Sequence, residues 1–275
     1  MILKKLYSFS NGRQIWRIIP TEDNKLIIEE RDTEHREVFF SCLDIFTGKK
    51  IFSDLQLEEK FWVGIEAVYK NIILFHGFAK PDMPGHKGIT AFDVEERKII
   101  WKNSEHTFLF IYDDKIYCYS SLFEGRNYYS LNYKTGEMIS ELGNNSADIN
   151  QIREKVINQG SFEDYIFPEI YNPGLQWSEK VSGILDSVKQ EKVIAGRIEY
   201  AVCEDILFFN FHEVQNNSRL KNIFMAIELN SGKTVFEETL NEETQAFVPD
   251  SFFFKQNLLF LLQEKVRLVV YNLKS

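Results

Sequence analysis

The sequence predicts an all-β protein, a β-propeller of four-stranded antiparallel blades, and three observations predict it. A polar turn followed by a run of large apolar residues occurs five times: TEDNKLIIEE (21–30), VYKNIILFHG (68–77), IYDDKIYCYS (111–120), VCEDILFFNF (202–211) and FFKQNLLFLL (253–262). Each copy leads into a second segment in which an aliphatic-acid or aliphatic-amide pair precedes another turn. The copies recur at about 45 to 50 residues, with one double interval, which is the usual length of a four-stranded blade.

Each element has a local cause. The first turns, Asp23-Asn24, Lys70-Asn71, Asp113-Asp114, Glu204-Asp205 and Lys255-Gln256, carry residues that accept tight-turn geometry and so fix hairpin register. The runs that follow, such as ILFF (206–209) and LLFLL (258–262), lack polar alternation, so both faces of those strands are expected to be covered. The second turns fall at Thr47-Gly48, Glu96-Arg97, Thr135-Gly136 and Ser231-Gly232, where glycine supplies positive φ in three of the four. The last unit stops at Tyr271-Asn272-Leu273-Lys274-Ser275 before any fourth strand, while the strand-like Ile2 to Phe9 has no partner nearby. An open blade would expose a pairing edge, so residues 2–9 are expected to complete the last blade.

The segment 142–190 departs from the repeat. DINQIREKVIN (148–158) and WSEKVSGILDSVK (177–189) place apolar residues three and four apart, as at Val181, Ile184, Leu185 and Val188, which predicts helices. The expectation is one domain over 1–275 with five blades and a helical insertion between the third and fourth. The alternative is a degenerate sixth blade, because FEDYIF (162–167) echoes CEDILF (203–208); Pro168 and Pro173 count against it.

The second halves of the units, best in LDIFTGKKIF (43–52) and FDVEERKIIW (92–101) with Trp101 at the end, resemble the pyrroloquinoline-quinone-type propeller repeat, whose signature is an aliphatic-Asp pair, a Thr-Gly turn and a tryptophan. That resemblance implies the fold; such repeats serve quinoprotein dehydrogenases and cofactor-free binding propellers alike. The chain also resembles an uncharacterised Bacteroidetes family of cytoplasmic propeller proteins, a domain of unknown function, which implies no activity.

Composition narrows the function. A formal charge of −9 and a pI near 5.2 argue against nucleic-acid partners and against adhesion to anionic membranes. No signal-peptide pattern and no 18-residue apolar span occur, so the cytoplasm is expected. Cys42, Cys118 and Cys203 lie at wide intervals in predicted strands and read as buried free thiols.

Loops held by a rigid scaffold are where binding residues gather. The loops joining second to third strands carry His35, Asp82, His86, Arg126, His212 and Arg219, which form the candidate ligand-binding face. The insertion adds Tyr165, Tyr171 and Trp177 as candidate partner anchors, aromatic types that interfaces favour. The three loop histidines fall in no HExxH or paired spacing, so no metal and no cofactor are expected. Glu66 and Glu199 are the carboxylates expected to point inward; no catalytic residue is assigned. The sequence thus favours a non-catalytic scaffold for a protein, peptide or small ligand. The alternative is a hydrolase or lyase with an acidic site at the mouth of the propeller's central channel.

Overall fold

A computed structural model of the chain describes residues 2–78, 85–158, 164–172, 179–215 and 219–274. It is all-β apart from two helices, with the five antiparallel sheets that a five-bladed propeller requires. Two compact units divide the chain, one made of Gln14–Phe162 and the other of Met1–Arg13 with Glu163–Ser275.

The chain opens with β1 (Ile2–Phe9), which belongs to the last sheet. The Gln14–Phe162 unit holds three consecutive meanders. The first is β2 (Gln14–Pro20), β3 (Lys25–Asp32), β4 (Glu37–Asp44) and β5 (Lys50–Leu55). The second is β6 (Val63–Tyr69), β7 (Ile72–Phe78), β8 (His86–Asp93) and β9 (Lys98–Asn103). The third is β10 (Thr107–Tyr112), β11 (Lys115–Leu122), β12 (Gly125–Asn132) and β13 (Met138–Gly143), after which α1 (Ser146–Asn158) closes the unit.

The other unit contains the two-residue strands β14 (Tyr165–Ile166) and β15 (Glu169–Ile170), then α2 (Glu179–Glu191). Its fourth meander is β16 (Ile194–Cys203), β17 (Ile206–Val214), β18 (Leu220–Glu228) and β19 (Thr234–Thr244). Its fifth is β20 (Phe252–Lys255), β21 (Leu258–Gln263) and β22 (Arg267–Lys274), completed by β1, which runs antiparallel to β22 from Ile2 opposite Lys274 to Phe9 opposite Leu268. The strand exchange expected for residues 2–9 is present. Among the described residues no sixth blade is present: Tyr165 and Ile166 of FEDYIF form β14, paired with the edge of β20, and Pro168 follows two residues later.

The turns form for the reasons read from sequence. Asn24, Lys70, Asp113, Asp114, Glu204 and Gln256 all have φ between 50° and 62°. In the second turns the acid or amide is a cap: Asp44 Oδ1 accepts from the Thr47 amide at 2.8 Å and its hydroxyl at 2.6 Å, and Asn132 Oδ1 accepts from the Lys134 and Thr135 amides. Glycine follows at Gly48 and Gly136 with φ of 68° and 73°. Trp101 then lies over the next sheet's turn: its Nε1 donates to the Tyr133 carbonyl at 3.1 Å, and a Cβ on Gly136 would meet its ring at 2.6 Å.

Middle strands are buried on both faces, as at Ile206, Leu207, Phe208 and Phe209. Asn145 caps α1 by accepting from the Ala147 amide, and Ile149, Ile152 and Val156 of that helix pack on Phe110, Tyr117 and Tyr128. Val181, Leu185 and Val188 of α2 pack with Ile198, Tyr200, Phe209 and Phe211. All three cysteines are free, and burial pushes the Cys42 and Cys118 thiols up to about 12. No helix among the described residues is long and apolar enough to cross a membrane.

Candidate functional site

In the second sheet a bulge between Ile65 and Ala67 interrupts the β6–β7 register, and the extra residue is Glu66. A bulge re-aims a side chain, and here it sends the carboxylate to two histidines on the next two strands. Glu66 Oε2 lies 2.9 Å from His76 Nδ1 on β7 and 2.8 Å from His86 Nδ1 at the start of β8. The imidazoles stack face to face, centroids 3.5 Å apart and planes 8° from parallel. His86 Nδ1 is hydrogen-bonded to Glu66, whereas His76 Nδ1, though close, is buried without a hydrogen-bond partner. Burial would raise the Glu66 carboxyl, but the two imidazoles beside it outweigh burial and the net shift is downward.

His76 is only 3% exposed. Its ring fits because residue 64 is glycine, where a Cβ would stand 3.1 Å from Cε1 and Nε2. It also lines a cavity of about 360 Å³ with Leu57, Glu58, Glu59, Val63 and Thr90.

The same ends of the first two sheets carry a layer of arginine and aromatic side chains. Arg31 reaches from β3 to donate to Glu29 Oε1 and to the Phe61 and Val63 carbonyls, while the buried Glu29 accepts from the Ile65 amide. Its guanidinium lies 5.3 Å from the Trp16 ring and 5.6 Å from Phe61. Arg36, exposed and held at φ 58°, stands 5.4 Å from both Phe61 and Trp62. Trp62 meets Phe78 edge-on at 5.7 Å, and Phe78 in turn meets both histidines of the cluster. Trp16 is 53% exposed, so the layer faces solvent.

In the other unit, Asn222 is fully buried at the centre of a polar ladder. It accepts from Asn210 Nδ2 at 3.3 Å and donates to Asn241 Oδ1 at 3.4 Å and Ser251 Oγ at 3.0 Å. Glu199 stands beside it opposite Asn210 and accepts from the Asp250 amide at 3.3 Å; burial pushes its carboxyl up.

The residues expected from sequence are scattered. His86 joins the Glu66 cluster. His35 sits on an exposed turn bonded to Asp32, which raises the imidazole and lowers the carboxyl. Arg126 belongs to β12 and stacks on Tyr119 at 4.1 Å; Arg219 lies 3.4 Å from Glu243. His212 is not on a loop: β17 and β18 pair further than expected, His212 opposite Asn222, and Nε2 accepts from the Val248 amide at 3.0 Å. Burial holds that imidazole below its ordinary value. Tyr165 and Tyr171, expected as surface anchors, are both 8% exposed. The unit's own packing takes them, Tyr165 beneath Lys255 and Tyr171 against Tyr200 and Lys189. Among the described residues of that segment, the exposed large apolar side chains are Ile166, Phe167 and Ile170 instead. Asp82 and Trp177 lie outside the described residues.

Sequence reasoning named Glu66 and His86 separately and passed over His76, a lone imidazole in the apolar run IILFHG. The signal was there, since a histidine in a doubly buried strand needs a polar neighbour.

A family model described as Domain of unknown function (DUF4905) matches residues 19–101, a stretch that includes the whole Glu66, His76 and His86 cluster. No curated protein matches the chain. Among solved structures the chain is similar to a member of the DUF4221 family from Bacteroides vulgatus, at 11% identity and TM-score 0.38, covering 99% of this chain and 97% of that one. It is also similar to an uncharacterized protein of Listeria monocytogenes, at 12% identity and TM-score 0.36, over 94% and 78% of the two chains. A third likeness is to the Dos1 propeller, at 10% identity and TM-score 0.32, over 94% of this chain and 68% of that one.

Proposed function

We propose that this chain is a non-catalytic binding module whose contact surface is the arginine and aromatic layer of Trp16, Arg36, Phe61, Trp62 and Phe78, and that it takes an acidic peptide segment of a protein partner. The observation that carries the reading is Arg36 spread over Phe61 and Trp62 on an exposed face. A guanidinium held beside aromatic rings still has N–H donors for a carboxylate, and Trp and Arg are side chains enriched among those that dominate interface energetics. In a chain of net charge −9, Arg36 is the cation this face offers to a partner's carboxylate, beside the Glu59 carboxylate that accepts from the Phe61 and Trp62 amides. The module is taken as one propeller over 1–275, a reading supported by the pairing of β1 with β22, and its free thiols suit the cytoplasm.

The test is selection of a displayed linear-peptide library on the purified protein, repeated on Trp16→Ala and Arg36→Glu. Enriched peptides should carry Asp or Glu beside apolar residues and lose about tenfold or more in affinity on each variant. Failure to enrich any sequence, or enrichment that both variants retain, would overturn the reading.

A second reading, an acidic hydrolase or lyase site, is favoured by Glu199, because a carboxyl raised by burial is a general-acid candidate. Hydrolysis there would require a second acid or a nucleophile, and the acid nearest at hand is Asp250, whose amide donates to Glu199 and whose charge helps to raise it.

A further inference from the structure

We propose that Glu66, His76 and His86 form a binding site for one divalent transition-metal ion of the zinc class, a site that does not depend on the peptide-binding reading. Their ligand atoms all lie within 4.8 Å of one another, on three consecutive strands of one sheet. Two imidazole nitrogens and one carboxylate oxygen suit a borderline ion such as Zn²⁺, Co²⁺ or Ni²⁺, whereas Mg²⁺ and Ca²⁺ prefer oxygen alone.

Two further features point to a ligand. His76 Nδ1 is aimed at the cluster from a buried ring and lacks a hydrogen bond, although Glu66 Oε2 is 2.9 Å away. A buried polar atom without a partner is costly to keep, and an ion between the three groups would satisfy it. The donors are also built in: the bulge aims Glu66, and Gly64 leaves room for the His76 ring.

With the rings parallel, the two Nδ1 atoms point side by side rather than at one centre. Coordination therefore requires the imidazoles to fan apart. The torsion that does this is the soft χ2 of histidine. His86 is the ring free to turn, with a side chain 34% exposed against 4% for His76. His76 then stays fixed against Gly64 and Glu66 while His86 swings as the closing ligand. Three protein donors leave a fourth position for water or for a side chain brought by a partner. Both imidazoles must be neutral at Nδ1, so capture of the ion releases whatever proton the cluster holds.

The experiment is calorimetric titration of the chelator-treated full-length protein with Zn²⁺, paired with Co²⁺ absorption spectroscopy. One equivalent should bind, with Co²⁺ giving visible bands, and Mg²⁺ in excess should not compete. His86→Gln and Glu66→Gln should each weaken Zn²⁺ by roughly a hundredfold or more, beyond the 10–100-fold typical of groups that only support a ligand. Unfolding curves of these variants check that the sheet is intact, since substitution at buried His76 risks the fold itself. His35→Gln, which removes the exposed His35–Asp32 pair, should leave affinity unchanged. Absence of saturable binding, equal affinity in His86→Gln and Glu66→Gln, or preference for Mg²⁺ would each overturn the assignment. Peptide selection on Trp16→Ala reports on the other surface, so the failure of one reading is distinguishable from the failure of the other.

Discussion

Gly136 offers a test in which two structural costs separate. Gly136 has φ 73°, and a Cβ there would stand 2.6 Å from Trp101 Cδ2 and 2.9 Å from Cγ and Cε3. Gly143 has nearly the same φ, 72°, in the same unit, and its Cβ position meets nothing within 4 Å. Alanine in left-handed geometry costs about 1–2 kcal/mol, which is the whole expected loss for Gly143→Ala. Gly136→Ala adds the overlap with an indole that its bond to the Tyr133 carbonyl holds in place, about 1–3 kcal/mol more, for a total of about 2–5 kcal/mol. Urea unfolding at equilibrium measures both. In a Trp101→Ala background the obstruction is gone, and the Gly136→Ala loss should fall to the Gly143→Ala value. Equal losses for the two glycines in the wild-type background, or a Gly136→Ala loss that Trp101→Ala leaves unchanged, would refute the claim that the indole is seated on the turn.

Two other outcomes follow from features described above. Deleting residues 2–9 leaves the β22 edge unpaired from Leu268 to Lys274, so light scattering should show aggregation, and a monomeric truncation with unchanged melting temperature would end the strand-exchange account. His212 accepts a hydrogen bond at Nε2 and is held below its ordinary 6.5, so the folded chain refuses a proton that the unfolded chain takes. Stability should therefore fall as pH drops below about 7 and lose this dependence above it; His212→Gln should flatten the slope of urea midpoint against pH, and parallel curves would count against it.

The strand and turn plan was legible because it is written in local chemistry. Asn24, Lys70, Asp113, Glu204 and Gln256 each mark a left-handed turn beside an apolar run, and Val181, Leu185 and Val188 mark a helix face. The edge pairing of β1 was legible from a unit that lacks its fourth strand. The Glu66 cluster was not, because it depends on register and on one bulge. Without the bulge at Glu66, alternation along β6 would aim that carboxylate elsewhere, and nothing in the residue types announces the bulge. Tyr165 and Tyr171 were misread for a related reason: aromatic residues among prolines look exposed, yet the short strands β14 and β15 fold them back onto β20 and β16.

Because Phe9 pairs with Leu268 and Ile2 with Lys274, β1 can find its place only after β22 is made. At a synthesis rate of about 5–20 residues per second, β1 leaves the ribosome roughly ten to fifty seconds ahead of its partner. During that wait Gln14–Phe162 has all the strands of its three meanders and can fold behind it. The amino-terminal ribbon is therefore a tether held in reserve. Any segment that engages β1 early competes with its pairing to β22.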